Sequence, residues 1–148
     1  MKPALIIFTV VLCFVGLISF QKNTDKEPWT KEQLMQPDVL AAKIKNGKLQ
    51  NTVIYNIGPA GAIKNSIEIG PAQEAENLAL LKRQLRDLPK DREVVIYCGC
   101  CPFQHCPNIR PAFALLKEMN FKNAKLLNLS KNLKVDWIEK GYPLMKSN

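Results

Sequence analysis

The segment Glu93–Cys98, "EVVIYC", limits the fold more than any other stretch of the chain. β-Branched and aromatic residues fill it without polar alternation, which is the pattern of a strand covered on both faces. A strand of that kind sits inside a parallel sheet, and the flanking sequence supplies its neighbours. "TVIYNI" (52–57) reads as a second buried strand bounded by "GPAG". "NSIEIG" (65–70) reads as a shorter one closed by Gly70-Pro71, and "AKLLNL" (124–129) as another. Helical patterns lie between them. "AQEAENLALLKRQLRDL" sets Leu78, Leu81, Leu85 and Leu88 on one face and stops at Pro89. "IRPAFALLKEM" follows a cap at Asn108, with Pro111 tolerated in its first turn. Upstream, Thr30-Lys31-Glu32-Gln33 is a capping box that opens a short helix ending before Pro37. Asp38 caps "VLAAKIK", which ends at Asn46-Gly47, and "VDWIEK" is a last helix closed by Gly141. Strands alternating with helices predict an α/β fold, an open parallel sheet of about five strands with helices on both faces. Such sheets bind ligands beyond the carboxyl ends of their strands, and Cys98 ends the central one.

The 148 residues suffice for one core, and 47% hydrophobic against 23% charged residues is a globular balance. A net charge of +8 would suit an anionic partner. The lysines and arginines are scattered, however, with no basic run longer than Lys82-Arg83, and the aromatics form no stacking series. Nucleic acid is therefore not expected as a partner, and a mild preference for small anions is. Residues 1–20 stand apart: Lys2, an uncharged apolar run from Ala4 to Phe20, then the polar "QKNTDKEP". That is the form of a signal peptide, or, near the length of about 20 residues that spans a bilayer, of an uncleaved membrane anchor through residues 4–20. Cys13 lies inside this run as filler. Residues 21–28 read as a linker and 29–146 as one domain, exported to the periplasm or secreted.

Export would allow disulfides, yet the four remaining cysteines all fall in "CGCCPFQHC", Cys98 to Cys106, together with the only histidine. A staple gains from closing a long loop, so four thiols in one loop point to chemistry instead. A thiolate at the mouth of a parallel sheet, facing the N-terminus of the next helix, lies among backbone N–H dipoles that favour an anion. Cys98 is then a nucleophile able to carry sulfur as a persulfide in two displacements. Cys100, Cys101 and Cys106 are relay or resolving thiols. Gly99, His105 and Arg110 are candidates for holding an anionic donor, with His105 also a candidate proton carrier. Two other uses of the loop compete. Cys98 and Cys101 form a C-x-x-C pair, the spacing of redox dithiols, although Pro102 and Pro107 oppose the helix that usually starts at such a pair. As a metal site, Cys98, Cys100, Cys101, His105 and Cys106 offer five ligands suited to zinc or copper(I). Structural zinc draws on two separated ligand pairs, and no second pair exists elsewhere. Trp29, Tyr97 and Trp137 are read as packing.

The order of elements, with a strand ending in tyrosine-cysteine, resembles a single rhodanese-like domain. "LLKEMNFKNAKLLNL" resembles the helix-strand unit after that family's active loop, and "WIEKGYPL" its closing tryptophan helix and glycine-x-proline exit. "NSIEIG" resembles the short segment that re-enters the sheet, and the resemblance runs from about Trp29 to Leu144. It implies a sulfurtransferase with Cys98 as the sulfur acceptor, no resident cofactor, a thiosulfate- or persulfide-type donor, and a thiol or cyanide acceptor. Two departures accompany it. The cysteine loop is longer than the family's and carries three further thiols, Cys100, Cys101 and Cys106. "YNIGPAG" stands where the family has Asp-x-Arg, so Asn56 and Gly58 remove both charges. A non-catalytic rhodanese-like binding module is the remaining alternative.

Overall fold

The computed structural model describes residues 27–61 and 63–146. The signal or anchor assigned to residues 1–20, Cys13 and most of the linker lie outside these residues. Among the described residues, no helix is long and apolar enough to cross a membrane.

The strands are β1 (Leu34–Met35), β2 (Thr52–Asn56), β3 (Ser66–Glu68), β4 (Glu93–Tyr97) and β5 (Asn123–Leu127). The helices are α1 (Pro37–Lys45), α2 (Ala75–Arg86) and α3 (Ile109–Glu118). The five strands form one sheet in the order β1-β5-β4-β2-β3, and every pairing is parallel. This is the open parallel α/β sheet that the alternating pattern predicts, with β4 at its centre.

Side chains of a strand alternate between faces, and β4 sorts the core accordingly. Val94, Ile96 and, just past the strand, Cys98 join the cluster that holds Leu81 and Leu85 of α2 and Ile109, Ala112, Phe113 and Leu116 of α3. Val95 and Tyr97 join the opposite cluster, with Leu40, Ala41 and Ile44 of α1 and with Trp137. Helices thus cover both faces, and a fully buried leucine such as Leu81 contributes roughly 1.5–3 kcal/mol. The leucine stripe of α2 packs as the spacing predicts. Trp29 is core as well, edge-on to Phe103 and Phe113 with ring centres 5.9 Å apart in both pairs.

Three local expectations need correction. The helix expected from the capping box is a single 3-10 turn, Lys31–Gln33, in which Thr30 N–H donates to Gln33 Oε1 at 2.9 Å. It is followed at once by β1, whose Leu34 and Met35 pair with Leu126 and Leu127. A two-residue edge strand has no periodicity to read. Second, α1 starts two residues early, with Pro37 in its first turn and extended Gln36 at its cap, so Asp38 lies inside the helix. Third, the last helix is a π-type turn, Lys134–Ile138, closed by Glu139 N–H to Lys134 O at 2.9 Å. Trp137 is fully buried there, and its Nε1 donates to Pro143 O at 3.0 Å.

Candidate active site

The β4 ladder ends at Tyr97, whose carbonyl accepts from Ile57 N–H at 2.8 Å, so Cys98 is the first residue beyond the sheet. Gly99 then turns the chain with φ +79°, a left-handed conformation that costs glycine nothing. A Cβ there would also lie 2.8 Å from Leu133 Cβ. Leu133 N–H donates to Gly99 O at 2.8 Å, so the turn is pinned to the segment that follows β5. Beyond Cys100 and Cys101 comes a 3-10 turn, Phe103–His105, anchored by Phe103 N–H to Leu129 O at 3.3 Å and by Phe103 against Trp29. The enlarged loop is therefore folded back over the sheet edge, and it returns Cys106 to the interior.

Cys98 is 1% exposed and Cys106 is fully buried, while Cys100 is exposed and Cys101 half-buried. All four are free thiols. The Sγ atoms of Cys98, Cys100 and Cys106 lie within 4.8 Å of one another. Cys98 Sγ and Cys100 Sγ are 3.2 Å apart, and Cys100 Sγ and Cys101 Sγ 3.3 Å apart. A close partner of Cys98 is thus Cys100, at C-x-C spacing, while Cys101 contacts Cys100 and packs against the hydrophobic cluster.

Asn108 completes the ring. It was expected to cap α3, but its side chain makes no cap bond and its backbone is already helical. The amide is buried and reaches across the loop instead. Its Oδ1 accepts from Gln73 N–H at 3.1 Å, which fixes the orientation of the group. Nδ2 must then face the sulfurs, 3.3 Å from Cys98 Sγ and 3.8 Å from Cys106 Sγ. The opposite wall is Gly58, at which a Cβ would lie 2.3 Å from Cys98 Sγ and 2.8 Å from Cys98 O. Only a hydrogen fits between that backbone and the sulfur. Gly58 is held by Asn56, whose Oδ1 accepts Gly58 N–H at 3.2 Å while Nδ2 donates to Ala60 O at 2.6 Å and Glu68 Oε2 at 2.8 Å. Asn56 and Glu68 brace this loop where the sequence lacks the charged pair of the resembled motif.

These contacts divide the negative charge unevenly. The Cys106 thiol, the Cys100 N–H and thiol, and the Asn108 amide all donate toward Cys98 and lower its pKa from 9.0 to about 5, against the opposing effect of burial. Burial and the neighbouring sulfurs push Cys100 up to about 12, and donation to Cys98 with burial pushes Cys106 up as well. One thiolate held by two thiols and an amide is the favoured state near neutral pH. Tyr97, expected only to pack, also anchors the neighbouring loop. Its hydroxyl accepts Ile63 N–H at 2.9 Å and lies 3.1 Å from Ser66 Oγ.

The remaining candidates lie outside this group. His105 is exposed and is not among the three clustered ligands. Arg110 donates from Nη1 to Gln104 O at 2.9 Å, and its guanidinium sits 5.7 Å from the Trp29 ring centre. Sequence reasoning missed Asn108, Asn56 and Gly58 as parts of the site. The one visible signal was a glycine placed just past a buried strand, where a close approach is common.

Fold and site together define an α/β open-sheet domain with a cluster of thiols at the carboxyl edge of its central strand. No family model matches the chain, and no curated protein does. Among solved structures, wild-type EanB is similar, with a TM-score of 0.54 and 15% identity over 77% of this chain and 27% of that one. A cysteine-to-serine variant of EanB in complex with hercynine aligns equally well, and a threonine-to-valine variant with hercynine shows 17% identity at the same TM-score of 0.54. The chain thus matches little more than a quarter of these neighbours, and the likeness is one of fold.

Proposed function

We propose that this domain is a rhodanese-like sulfurtransferase with Cys98 as the sulfur carrier. The observation that carries this reading is the Cys98 thiol just past the central strand, with Cys100 Sγ 3.2 Å and Asn108 Nδ2 3.3 Å from its sulfur. In the first step the Cys98 thiolate attacks the outer sulfur of a thiosulfate-type donor. A new S–S bond forms, the donor's S–S bond breaks, and sulfite leaves with the electron pair. A persulfide donor reacts in the same way and releases its thiolate. In the second step cyanide or an acceptor thiolate attacks the outer sulfur of the persulfide. Thiocyanate or a new persulfide forms, and the Cys98 thiolate returns. The donors that favour the resting thiolate also favour the persulfide anion. Cys98 is buried in the resting structure and the sulfur of exposed Cys100 lies 3.2 Å from its own, so admitting a donor needs a side-chain movement, with Cys100 the nearest exposed group.

Incubation of the reduced protein with thiosulfate, then cyanide, is expected to release thiocyanate, and Cys98→Ser to abolish it. Thiocyanate release that survives Cys98→Ser would move the nucleophile to another thiol. No release from the intact protein, with no sulfur added to its mass, would leave a binding module. A second reading rests on the 3.2 Å separation of Cys98 and Cys100, which suits a dithiol–disulfide couple. Loss of two hydrogens on mild oxidation, suppressed by Cys100→Ser, is its signature.

A further inference from the structure

The three converging sulfurs have a second chemistry that does not depend on sulfur transfer. We infer that Cys98, Cys100 and Cys106 form a three-thiolate binding site for a soft monovalent cation, copper(I). Their Sγ atoms come from three points of one loop yet lie within 4.8 Å of one another. Thiolates bound to a common metal at about 2.3 Å stand apart by a similar span, so little rearrangement is needed. Softness and coordination number select the ion. The donor set is all sulfur, which favours copper(I) over harder cations. Zinc takes four ligands in its structural sites. Here the two residues that would supply a fourth point elsewhere: His105 is exposed outside the cluster, and Cys101 contacts Cys100 rather than the group as a whole. Three sulfurs without a fourth donor fit copper(I), which is content with low coordination.

The surroundings match. Asn108 Nδ2 faces two of the three sulfurs and has its own orientation fixed by Gln73 N–H, as an outer-shell donor to metal-bound thiolates should. Two of the sulfurs are buried, which excludes competing water, and the third is exposed, which gives the ion a way in. Cys101, half-buried against the hydrophobic cluster, touches Cys100 at 3.3 Å but stands outside the three-sulfur group.

The test is anaerobic titration of the reduced full chain with copper(I) against a chromogenic copper(I) chelator, followed by X-ray absorption of the loaded protein. One equivalent retained, with a first shell of three sulfurs, is expected. Asn108→Ala is expected to weaken retention by about tenfold. Cys100→Ser weakens it more, and Cys101→Ser leaves it unchanged. Cys106 is buried, so both Cys106→Ser and Cys106→Ala are examined, with near-UV circular dichroism to establish that each is folded. Retention unaffected by Cys100→Ser overturns the assignment. So does loss in Cys101→Ser equal to that in Cys100→Ser, a shell containing nitrogen, or preferential uptake of zinc in four-coordinate form. Because the readout is metal retention, its failure is separate from failure of thiocyanate release.

Discussion

The amide of Asn108 donates to the sulfur of Cys98 at 3.3 Å, and the same amide is locked in place by the backbone of Gln73. One side chain therefore ties the start of α2, the start of α3 and the end of β4 into a single unit. A hydrogen bond to a charged acceptor is worth about 1.5–3 kcal/mol, so Asn108→Ala is expected to raise the Cys98 titration by about one to two pH units. Sulfur loading near neutral pH slows accordingly. The pH profile of alkylation by iodoacetamide measures the first effect, and stopped-flow persulfide formation the second. An unmoved profile would show that the amide is only structural.

Gly58 is expected to tolerate no side chain. The Cβ of Gly58→Ala would overlap Cys98 Sγ, at 2.3 Å, and the backbone on either side of the contact is held by Asn56 and by the sheet. Overpacking of this kind costs about 1–3 kcal/mol, and here it also displaces the nucleophile. Denaturant unfolding should show the loss of stability and the thiocyanate assay a larger loss of activity. Gly61→Ala is the control, because a Cβ there meets nothing within 4 Å.

The pH dependence follows from the lowered pKa of Cys98. In the folded protein the thiol titrates at about 5, against 9.0 for the ordinary group. Between those values the unfolded chain holds one proton more, so stability rises with pH across that window. The contribution is complete above the ordinary thiol value and is lost as pH falls through the folded one. Denaturation midpoints of wild type and Cys98→Ser should therefore converge at the acid end. The alkylation rate of wild type should be half-maximal near pH 5, where an unperturbed thiol would still be unreactive.

Tyr97→Phe separates packing from hydrogen bonding. The ring remains in the core, but Ile63 N–H loses its acceptor in a buried setting. An unsatisfied buried donor costs about 1–3 kcal/mol, read as a lower denaturation midpoint with an unchanged slope. Thiocyanate release should be largely retained, since the Tyr97 hydroxyl faces the 61–66 loop on the other side of the sheet from Cys98.

Much of the architecture was legible before any coordinates. Val94–Cys98 of "EVVIYC" has the unbroken apolar character of a central parallel strand, and the leucines of α2 repeat at helical spacing, so both elements follow from local pattern. The concentration of thiols after that strand likewise marked the loop in which three sulfurs converge. β1 was not legible, because two residues carry no period and pair only once β5 is in place. Arg110 was a candidate for holding an anionic donor, and its contacts with Gln104 O and the Trp29 ring, set by how the loop folds back, were not legible.

Sequence alone determined the class of sheet and the address of the thiol loop, since both rest on short-range periodicity and on residue types clustered within one stretch. Tertiary structure decided which sulfur meets which, that Asn108 serves the thiols rather than its own helix, and that Gly58 is the wall against Cys98. The sulfur and Asn108 contacts depend on how the 98–108 loop folds back on itself, which no local period encodes. The Gly58 contact leaves no trace in neighbouring residues, because it depends on the register of β2 against β4 and not on either strand by itself.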